Sequence, residues 1–282
     1  MRRLLWWLVP TTIAVWISLV PASGGAQALD PLTIRFLDVG RGDATWMTTP
    51  DNRTILVDCG GAQFGPRLVV QLQTWGAGRV SQLAITQPGP DVVSGCVDVL
   101  NALPVDQVLW TGHQDTSTAW QAFWSLLPSP VTPVKSTDVY AWGGSPTSGP
   151  ATATVYNPVD ASSPSNDPTD DGLVILVQYA GHRVLLVGQI SQAAAAQVAA
   201  NLPGTVDVLE VDNGGIGGGS SATLLAAAHP DYVVLSYAAQ SPPDKDTLGR
   251  LTSTGAQLLT TADHGTITFA MTDSMAPPSV ER

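Results

Sequence analysis

The stretch LDVGRGD at residues 37–43 joins two predicted strands through a turn that contains Gly40 and Gly42. Glycine lets the backbone turn through positive φ and lets a ligand approach closely. The carboxylates of Asp38 and Asp43 stand on either side of this turn, an arrangement typical of a site on the edge of a sheet. Both carboxylates can also serve only to hold the turn through side-chain to backbone hydrogen bonds. The stretch alone leaves these two interpretations open.

Outward from this turn, the chain is first rich in strands and then alternates strands with helices. A predicted strand at residues 54–57 ends in Asp58, and apolar residues at helical spacing predict a helix at residues 67–75. Farther on, two strands and a short turn predict a hairpin at residues 173–187, and an alanine-rich helix follows at residues 192–202. This order predicts an α/β fold with two mixed β-sheets flanked by helices.

The first 28 residues have the pattern of an export signal. Arg2 and Arg3 precede an apolar run, and the small-x-small end Ala26-Gln27-Ala28 predicts cleavage after Ala28. The alternative is an uncleaved anchor, since the apolar run of residues 4–20 is near the lower length limit of a membrane span. Either outcome makes the protein extracytoplasmic, secreted or anchored to the membrane. The predicted organisation is a signal peptide or anchor at residues 1–28, a domain at residues 29–272 and a flexible tail at residues 273–282.

Composition narrows the class of ligand. The chain is 44% hydrophobic and 12% charged, which is typical of a globular domain with an ample core. Because two of its 12 basic residues lie in the leader, the rest of the chain carries 10 basic and 23 acidic residues, a net charge of −13. Such a surface repels phosphate backbones, and the sequence has no basic run to compensate. Nucleic acid is therefore not expected as a partner.

The chain has two cysteines, Cys59 and Cys96. In an exported protein a cysteine pair usually forms a disulfide. Two buried free thiols are the alternative. The spacing of the two residues along the sequence does not decide between them.

Six motifs, in order along the chain, resemble those of metallo-β-lactamase-fold proteins of the competence type. This group includes the extracytoplasmic domain of the DNA-uptake channel protein ComEC. The motifs are LDVGRGDA (residues 37–44), ILVDCGG (55–61), LAITQPGPDVVSG (83–95), GLVILVQYAGHRVLLVGQI (172–190), VDVLEV (206–211) and ADHGTITF (262–269). The resemblance covers about residues 32–272 and implies a metallo-β-lactamase-like αββα sandwich.

The resemblance also implies where metal ligands should stand, and the sequence departs from the family there. Family members bind one or two zinc or manganese ions through histidines and carboxylates, and the metal activates a water molecule. Asp91 matches a family aspartate, but histidines and the bridging aspartate are missing. The vestigial site pocket that the resemblance implies consists of Asp38, Asp43, Asp58, Gln87, Gly89, Asp91, Val92, Gln189, Asp212 and Asn213. We expect no zinc or manganese cofactor, because losing most ligands should abolish tight binding.

This pattern predicts a non-catalytic member of the fold, a binding or scaffold protein with an unknown protein or small-molecule partner. The alternative is a metal-dependent hydrolase, of the phosphodiesterase or nuclease type, with a rebuilt carboxylate site. Its oxygen ligands would suit calcium or magnesium better than zinc. The four histidines, His113, His182, His229 and His264, lie outside the implied ligand positions, and we interpret each as a surface or packed imidazole.

The resemblance also bears on the cysteines. It places Cys59 at the end of a strand that borders the site and Cys96 at the start of the helix beyond the metal-binding loop. We therefore predict a disulfide between Cys59 and Cys96 that holds this loop in place of the metal.

Overall fold

The computed structural model describes residues 30–128, 131–145, 149–211, 215 and 217–282. The predicted leader at residues 1–28 and the site positions Asp212 and Asn213 lie outside this part of the chain. No helix in the described part is long and apolar enough to cross a membrane.

Eight strands form the first sheet, in the spatial order β15-β14-β1-β2-β3-β4-β5-β6. They are β1 (Leu32–Phe36), β2 (Thr45–Thr48), β3 (Thr54–Val57), β4 (Gln82–Ile85), β5 (Val108–Trp110), β6 (Thr132–Pro133), β14 (Ile267–Met271) and β15 (Ser279–Val280). The pairs from β3 to β6 are parallel, and the pairs from β15 to β3 are antiparallel.

The second sheet has seven strands, in the order β13-β12-β11-β10-β9-β8-β7. They are β7 (Val139–Ser145), β8 (Gly149–Asn157), β9 (Val174–Tyr179), β10 (His182–Val187), β11 (Val208–Val211), β12 (Tyr232–Leu235) and β13 (Gln257–Thr260). It is also mixed, because β7 to β10 pair antiparallel and β10 to β13 pair parallel.

Helices cover the outer faces of both sheets. They are α1 (Gly65–Thr74), α2 (Pro90–Val93), α3 (Cys96–Ala102), α4 (Thr118–Ser125), α5 (Gln192–Asn201), α6 (Ala222–Ala228), α7 (Lys245–Thr252) and α8 (Thr261–His264). Several begin at residues whose side chains accept a hydrogen bond from the first turn, which satisfies a backbone N–H that has no partner within the helix. These N-capping residues include Ser117, Ser191, Ser221 and Asp244.

Three apolar clusters hold the layers together. Alternating residues of β1, such as Ile34 and Phe36, pack between the two sheets against second-sheet residues such as Ile175. A second cluster joins the first sheet to α1, α3 and α4, and a third joins the second sheet to α5, α6 and α7. Strand residues buried on both faces explain why the strands read as nearly continuous apolar runs. The predicted fold of two mixed sheets flanked by helices is confirmed.

The end of the chain differs from the prediction. We predicted a flexible tail at residues 273–282, but this segment carries β15, which pairs antiparallel with β14. Glu281 accepts a hydrogen bond from the backbone N–H of Thr266, and Arg282 donates to Asp38 over 2.7 Å. These contacts fix the segment to the edge of the first sheet. They could not be anticipated from composition, because the partners are far away in the sequence.

Candidate functional site

The candidate site lies where β3 and β4 end side by side in the first sheet. Because the two strands are parallel, the residues that follow them meet at the same edge. Asp58 follows β3 and is only 1% exposed. One of its carboxylate oxygens accepts a hydrogen bond from the backbone N–H of Thr86 (2.8 Å), and the other accepts from the Thr86 hydroxyl (2.6 Å). The carboxylate thus joins the ends of the two strands.

Asp58 also has a φ of 57°, which is uncommon for a residue other than glycine. Its backbone N–H donates to the carbonyl of Ala84 in β4. The bonds to Thr86 hold the carboxylate in this conformation. Aspartate is among the residues that tolerate such a backbone best, because its short polar side chain can bond locally.

The loop after β4 carries four of the positions implied by the resemblance. Gln87 and Gly89 are partly buried. Asp91 forms an ion pair with Arg41, with 2.8 Å between Oδ2 and Nε, at a surface where the two side chains are 45% and 66% exposed. Val92 is buried in the apolar cluster between the first sheet and its helices, and its carbonyl accepts a hydrogen bond from the Cys59 N–H. Val92 therefore serves the core rather than the pocket.

Backbone contacts bring this loop against the LDVGRGD turn. Gly42 has a φ of 90°, and a Cβ built there would lie 2.0 Å from the carbonyl oxygen of Asp91. A Cβ at Gly95 would lie 2.2 Å from the carbonyl oxygen of Cys59. Any side chain at Gly42 or Gly95 would push these segments apart. Gly42 and Gly95 are thus required by close approach of neighbouring backbone segments, whereas the sequence had suggested the approach of a ligand at Gly42.

A disulfide joins Cys59 to Cys96, and the Cα atoms are 5.1 Å apart. It links the end of β3 to the first residue of α3, on the far side of the loop that contains Asp91. Both cysteines are fully buried. The predicted disulfide is confirmed, and buried free thiols are excluded for this pair.

The two carboxylates of the LDVGRGD turn have different surroundings. Asp38 accepts a hydrogen bond from the Gly40 N–H over 3.4 Å and pairs with Arg282. It therefore holds the turn and attaches the C-terminal segment to it. Asp43 is 4% exposed, and its backbone carbonyl accepts a hydrogen bond from the Gly60 N–H. Asp43 thus links the turn to the chain just beyond Asp58.

The second sheet reaches the site through the end of β10. A Cβ at Gly188 would lie 2.6 Å from the Cβ of Thr86, so the two segments touch. The backbone carbonyl of Thr86 accepts from the Leu173 N–H, and the Leu173 carbonyl accepts from the Gly188 N–H. Gln189 follows directly after Gly188. The structure thus brings the positions of Asp58, Gln87 and Gln189 to one edge of the sandwich.

The described side chains at this edge do not fit the zinc or manganese that the fold family implies. Gly89 and Val92 offer no side-chain donor, and Gln87 and Gln189 offer neutral amides. Both oxygens of Asp58 bind Thr86, and Asp91 pairs with Arg41. Within the described ranges, no cluster of three or more His, Cys, Asp or Glu side chains could hold a metal. The rebuilt oxygen site of the alternative hypothesis would also need Asp212 and Asn213, which lie outside those ranges.

One buried hydrogen-bonded pair near this edge was not anticipated. His113 follows β5, the strand next to β4, and its Nε2 lies 2.7 Å from Oδ2 of Asp171. Both side chains are only 10% exposed. Asp171 precedes β9, so the pair connects the two sheets beside the candidate site. The signal in the sequence was a histidine three residues beyond a parallel strand; its partner, 58 residues away, gave no local sign.

Comparison with known proteins supports the fold. No protein-family model matches the sequence, and no curated protein matches it. Among solved structures, a mutant of the CmlA β-hydroxylase is similar with a TM-score of 0.54 and 15% identity, over 85% of this chain and 54% of that chain. CmlA, a diiron β-hydroxylase from Streptomyces venezuelae, gives a TM-score of 0.51 and 16% identity over the same shares.

The metallo-β-lactamase fold protein YhfI from Bacillus subtilis gives a TM-score of 0.51 and 11% identity, over 80% of this chain and 96% of that chain. The chain thus spans about half the length of the CmlA proteins, at 54%, and nearly all of YhfI. At such identities the likeness shows the fold alone. The chain has the metallo-β-lactamase fold, as the sequence motifs predicted.

Proposed function

We propose that this protein of metallo-β-lactamase fold is an exported, non-catalytic relative of the ComEC type that binds a protein or small-molecule partner. The observation that carries the proposal is that residues of the implied metal pocket make structural contacts with the rest of the chain. Val92 packs in the core, Asp91 pairs with Arg41, and Asp58 bonds to Thr86. Asp91 and Val92 thus have structural contacts at positions where the resemblance implies a metal ligand, and Asp58 has one at the border of the implied pocket.

These contacts also replace what a metal does for the fold. In the family, metal coordination ties the loop after β4 to its neighbours, and that binding energy contributes to folding. Here the same loop is flanked by the Cys59–Cys96 disulfide and held by the Arg41–Asp91 ion pair. The hydrogen bond from the Cys59 N–H to the Val92 carbonyl adds a third link. The loop can therefore keep its shape without coordination.

Export is supported by the disulfide and by the leader pattern. Disulfides persist in oxidising compartments and are rare in the cytosol. The acidic surface, with a net charge of −11 for the whole chain, argues for a partner other than nucleic acid. A protein or a small molecule is therefore the partner class we propose.

Elemental analysis tests the proposal. The chain is expressed with its leader for export to the periplasm and purified without chelator. It is then dialysed against zinc or manganese and measured for bound metal. We expect metal at background, and no hydrolysis of bis(p-nitrophenyl) phosphate or of DNA with either ion. The absence of activity follows from the donor set, since a Lewis-acid site needs several ligands held together.

A matched pair of variants separates a real site from adventitious binding. Asp91→Asn removes the carboxylate at a family ligand position. Asp106→Asn removes one from a surface ion pair of the same kind, with Arg79 at 3.0 Å and an equal carboxylate exposure of 45%. A stoichiometric metal that is lost in Asp91→Asn and retained in Asp106→Asn would contradict the proposal. That outcome, with phosphodiester hydrolysis, would instead establish the metal-dependent hydrolase.

A further inference from the structure

A cavity of about 290 Å³ lies between α1 and the β15 edge of the first sheet. Its walls come from β1, the C-terminal end of α1, β14 and β15. None of its lining residues belongs to the candidate site described above. The residues that matter for its chemistry are Arg35, Gln71, Trp75, Thr266, Thr268 and Ser279.

Arg35 gives this cavity a charge without a counter-ion. Its guanidinium lies over the Trp75 ring, with the guanidinium carbon 4.9 Å from the ring centroid. No described acidic residue forms an ion pair with it, and no described residue accepts a hydrogen bond from its side chain. The Nη1 atom of Arg35 is buried without a hydrogen-bond partner among the described residues. Burial lowers the pKa of Arg35, which reflects the cost of holding its charge away from water.

This absence of a partner is unusual in such an acidic protein. The chain has 23 acidic residues and 12 basic ones. Arg41, Arg53 and Arg79 each form an ion pair with a described aspartate on the surface. Arg35 lies on the outer face of β1, in register with Thr268 of β14. Helix α1 lies beside it across the cavity. A guanidinium that is half-buried and unpaired favours a site for an anion.

The polar groups around Arg35 suit an oxyanion. Gln71, Thr268 and Ser279 offer an amide and two hydroxyls on the wall of the cavity. These groups can donate to the oxygens that the guanidinium leaves free.

One acidic side chain, Glu281, also lines the cavity, but its carboxylate already has partners within the protein. It accepts the Thr266 N–H over 3.0 Å, and its other oxygen lies 3.9 Å from Nη2 of Arg67. That backbone hydrogen bond lowers the pKa of Glu281, so the carboxylate is ionised at neutral pH. Because two arginines, Arg35 and Arg67, lie near the single carboxylate of Glu281, the immediate surroundings keep a net positive charge.

We propose that this cavity binds a small oxyanion, a carboxylate or a phosphate, with the Arg35 guanidinium as the main contact. The planar fork of arginine matches both groups through two parallel hydrogen bonds. Trp75 fixes the plane of the guanidinium and so prepares it for such a contact. The volume is just below the range of about 300–1,000 Å³ that is typical of drug-sized ligands, so it suits a small organic acid or free phosphate.

Binding is measured on the mature chain by titration calorimetry and by thermal unfolding. Sodium phosphate, acetate and citrate are compared with sodium chloride at equal ionic strength. We expect at least one oxyanion to raise the unfolding midpoint more than chloride does. Phosphate alone identifies a phosphate site, whereas acetate or citrate identifies an organic acid.

Three variants locate the site. Arg35→Gln should raise the dissociation constant of the anion by about tenfold or more, because it removes the charged partner of the anion. Arg79→Gln, which removes an exposed and ion-paired arginine, should leave it unchanged. Arg35→Lys keeps the charge but loses the fork, and should bind more weakly than the parent protein while remaining folded. The unfolding midpoint of each variant without anion records any change in stability.

Two results would overturn the proposal. The first is that no oxyanion stabilises the protein beyond the chloride control. The second is binding that is the same in Arg35→Gln as in the parent protein, which would place the anion elsewhere. Neither result depends on whether the candidate site binds metal.

Discussion

Removal of the Cys59–Cys96 disulfide should lower the stability of the domain strongly, and the structure gives the size of the effect. The bond closes a loop with a sequence separation of 37 residues. In the chain-entropy model, opening a loop of that length releases unfolded-state entropy worth about 4 kcal/mol near room temperature. Both cysteines are fully buried, so Cys59→Ala with Cys96→Ala also removes two sulfur atoms from the core. That loss adds about 1 kcal/mol for each sulfur at most.

The double variant is compared with the parent protein by urea unfolding, each with and without a reducing agent. The expected loss is about 4–6 kcal/mol, which corresponds to a fall in the melting temperature of roughly 8–24 °C for a domain of this size. The slope of the free energy against urea should rise, since an unfolded chain without the cross-link exposes more surface. The reducing agent should destabilise the parent protein and leave the double variant unchanged. The double variant therefore controls for effects of the reducing agent other than loss of the disulfide.

The same pair of proteins tests whether the disulfide acts locally. The Gly95 N–H donates to the Gly60 carbonyl beside the bond. Its hydrogen exchange should become faster in the double variant by more than that of amides in the central strands β10 and β11. A stability loss below about 1 kcal/mol would refute the entropic reasoning, because it would mean that the unfolded chain already keeps these segments together.

Three further predictions concern single residues. Asp58→Ala leaves the N–H and hydroxyl of Thr86 without that buried acceptor and should cost about 2–4 kcal/mol of unfolding free energy in urea; an unchanged midpoint would contradict those bonds. Gly95→Ala places a methyl 2.2 Å from a carbonyl oxygen and should cost about 2 kcal/mol or more, whereas Gly78→Ala, with nothing within 4 Å, should cost less than about 1 kcal/mol. Backbone hydrogen bonding holds the pKa of Glu281 below its usual 4.5, so its contribution to stability is present above pH 4.5 and lost as the pH falls through the lowered value. Glu281→Gln should flatten that acid limb of stability against pH, and an unaltered limb would show that other carboxylates produce it.

The parts of the fold that the sequence predicted depend on local pattern. Strands and helices follow from apolar periodicity, and the LDVGRGD turn follows from glycine spacing. The structure confirms both sheets and shows why Gly42 is needed there. The disulfide needed more than local pattern, because spacing left it open. It became predictable once the resemblance placed Cys59 and Cys96 beside one loop.

The parts that were missed depend on contacts between distant residues. Asp38 and Arg282 are 244 residues apart, and their ion pair helps to order a segment that composition had marked as flexible. The His113–Asp171 pair spans two loops whose sequences show no common pattern. Arg35 reads as an outward residue of an alternating strand, and only the packing of α1 over it makes it half-buried. Tertiary packing determines the contacts and burial of such residues, and the pattern of a single sequence does not reveal that packing.

The backbone frame of the candidate site is held by residues other than those at the implied ligand positions Gln87 and Gln189. The segments are fixed by backbone contacts at Gly42, Gly95 and Gly188, together with the disulfide. Gln87 and Gln189 are only partly buried, so their side chains lie outside the packed core that supports that frame. Selection can therefore exchange these positions with small cost in stability while the glycines stay fixed. The same separation makes the protein a scaffold for design, in which metal-binding side chains can be introduced at Gln87 and Gln189 and the metal content compared with that of the parent chain.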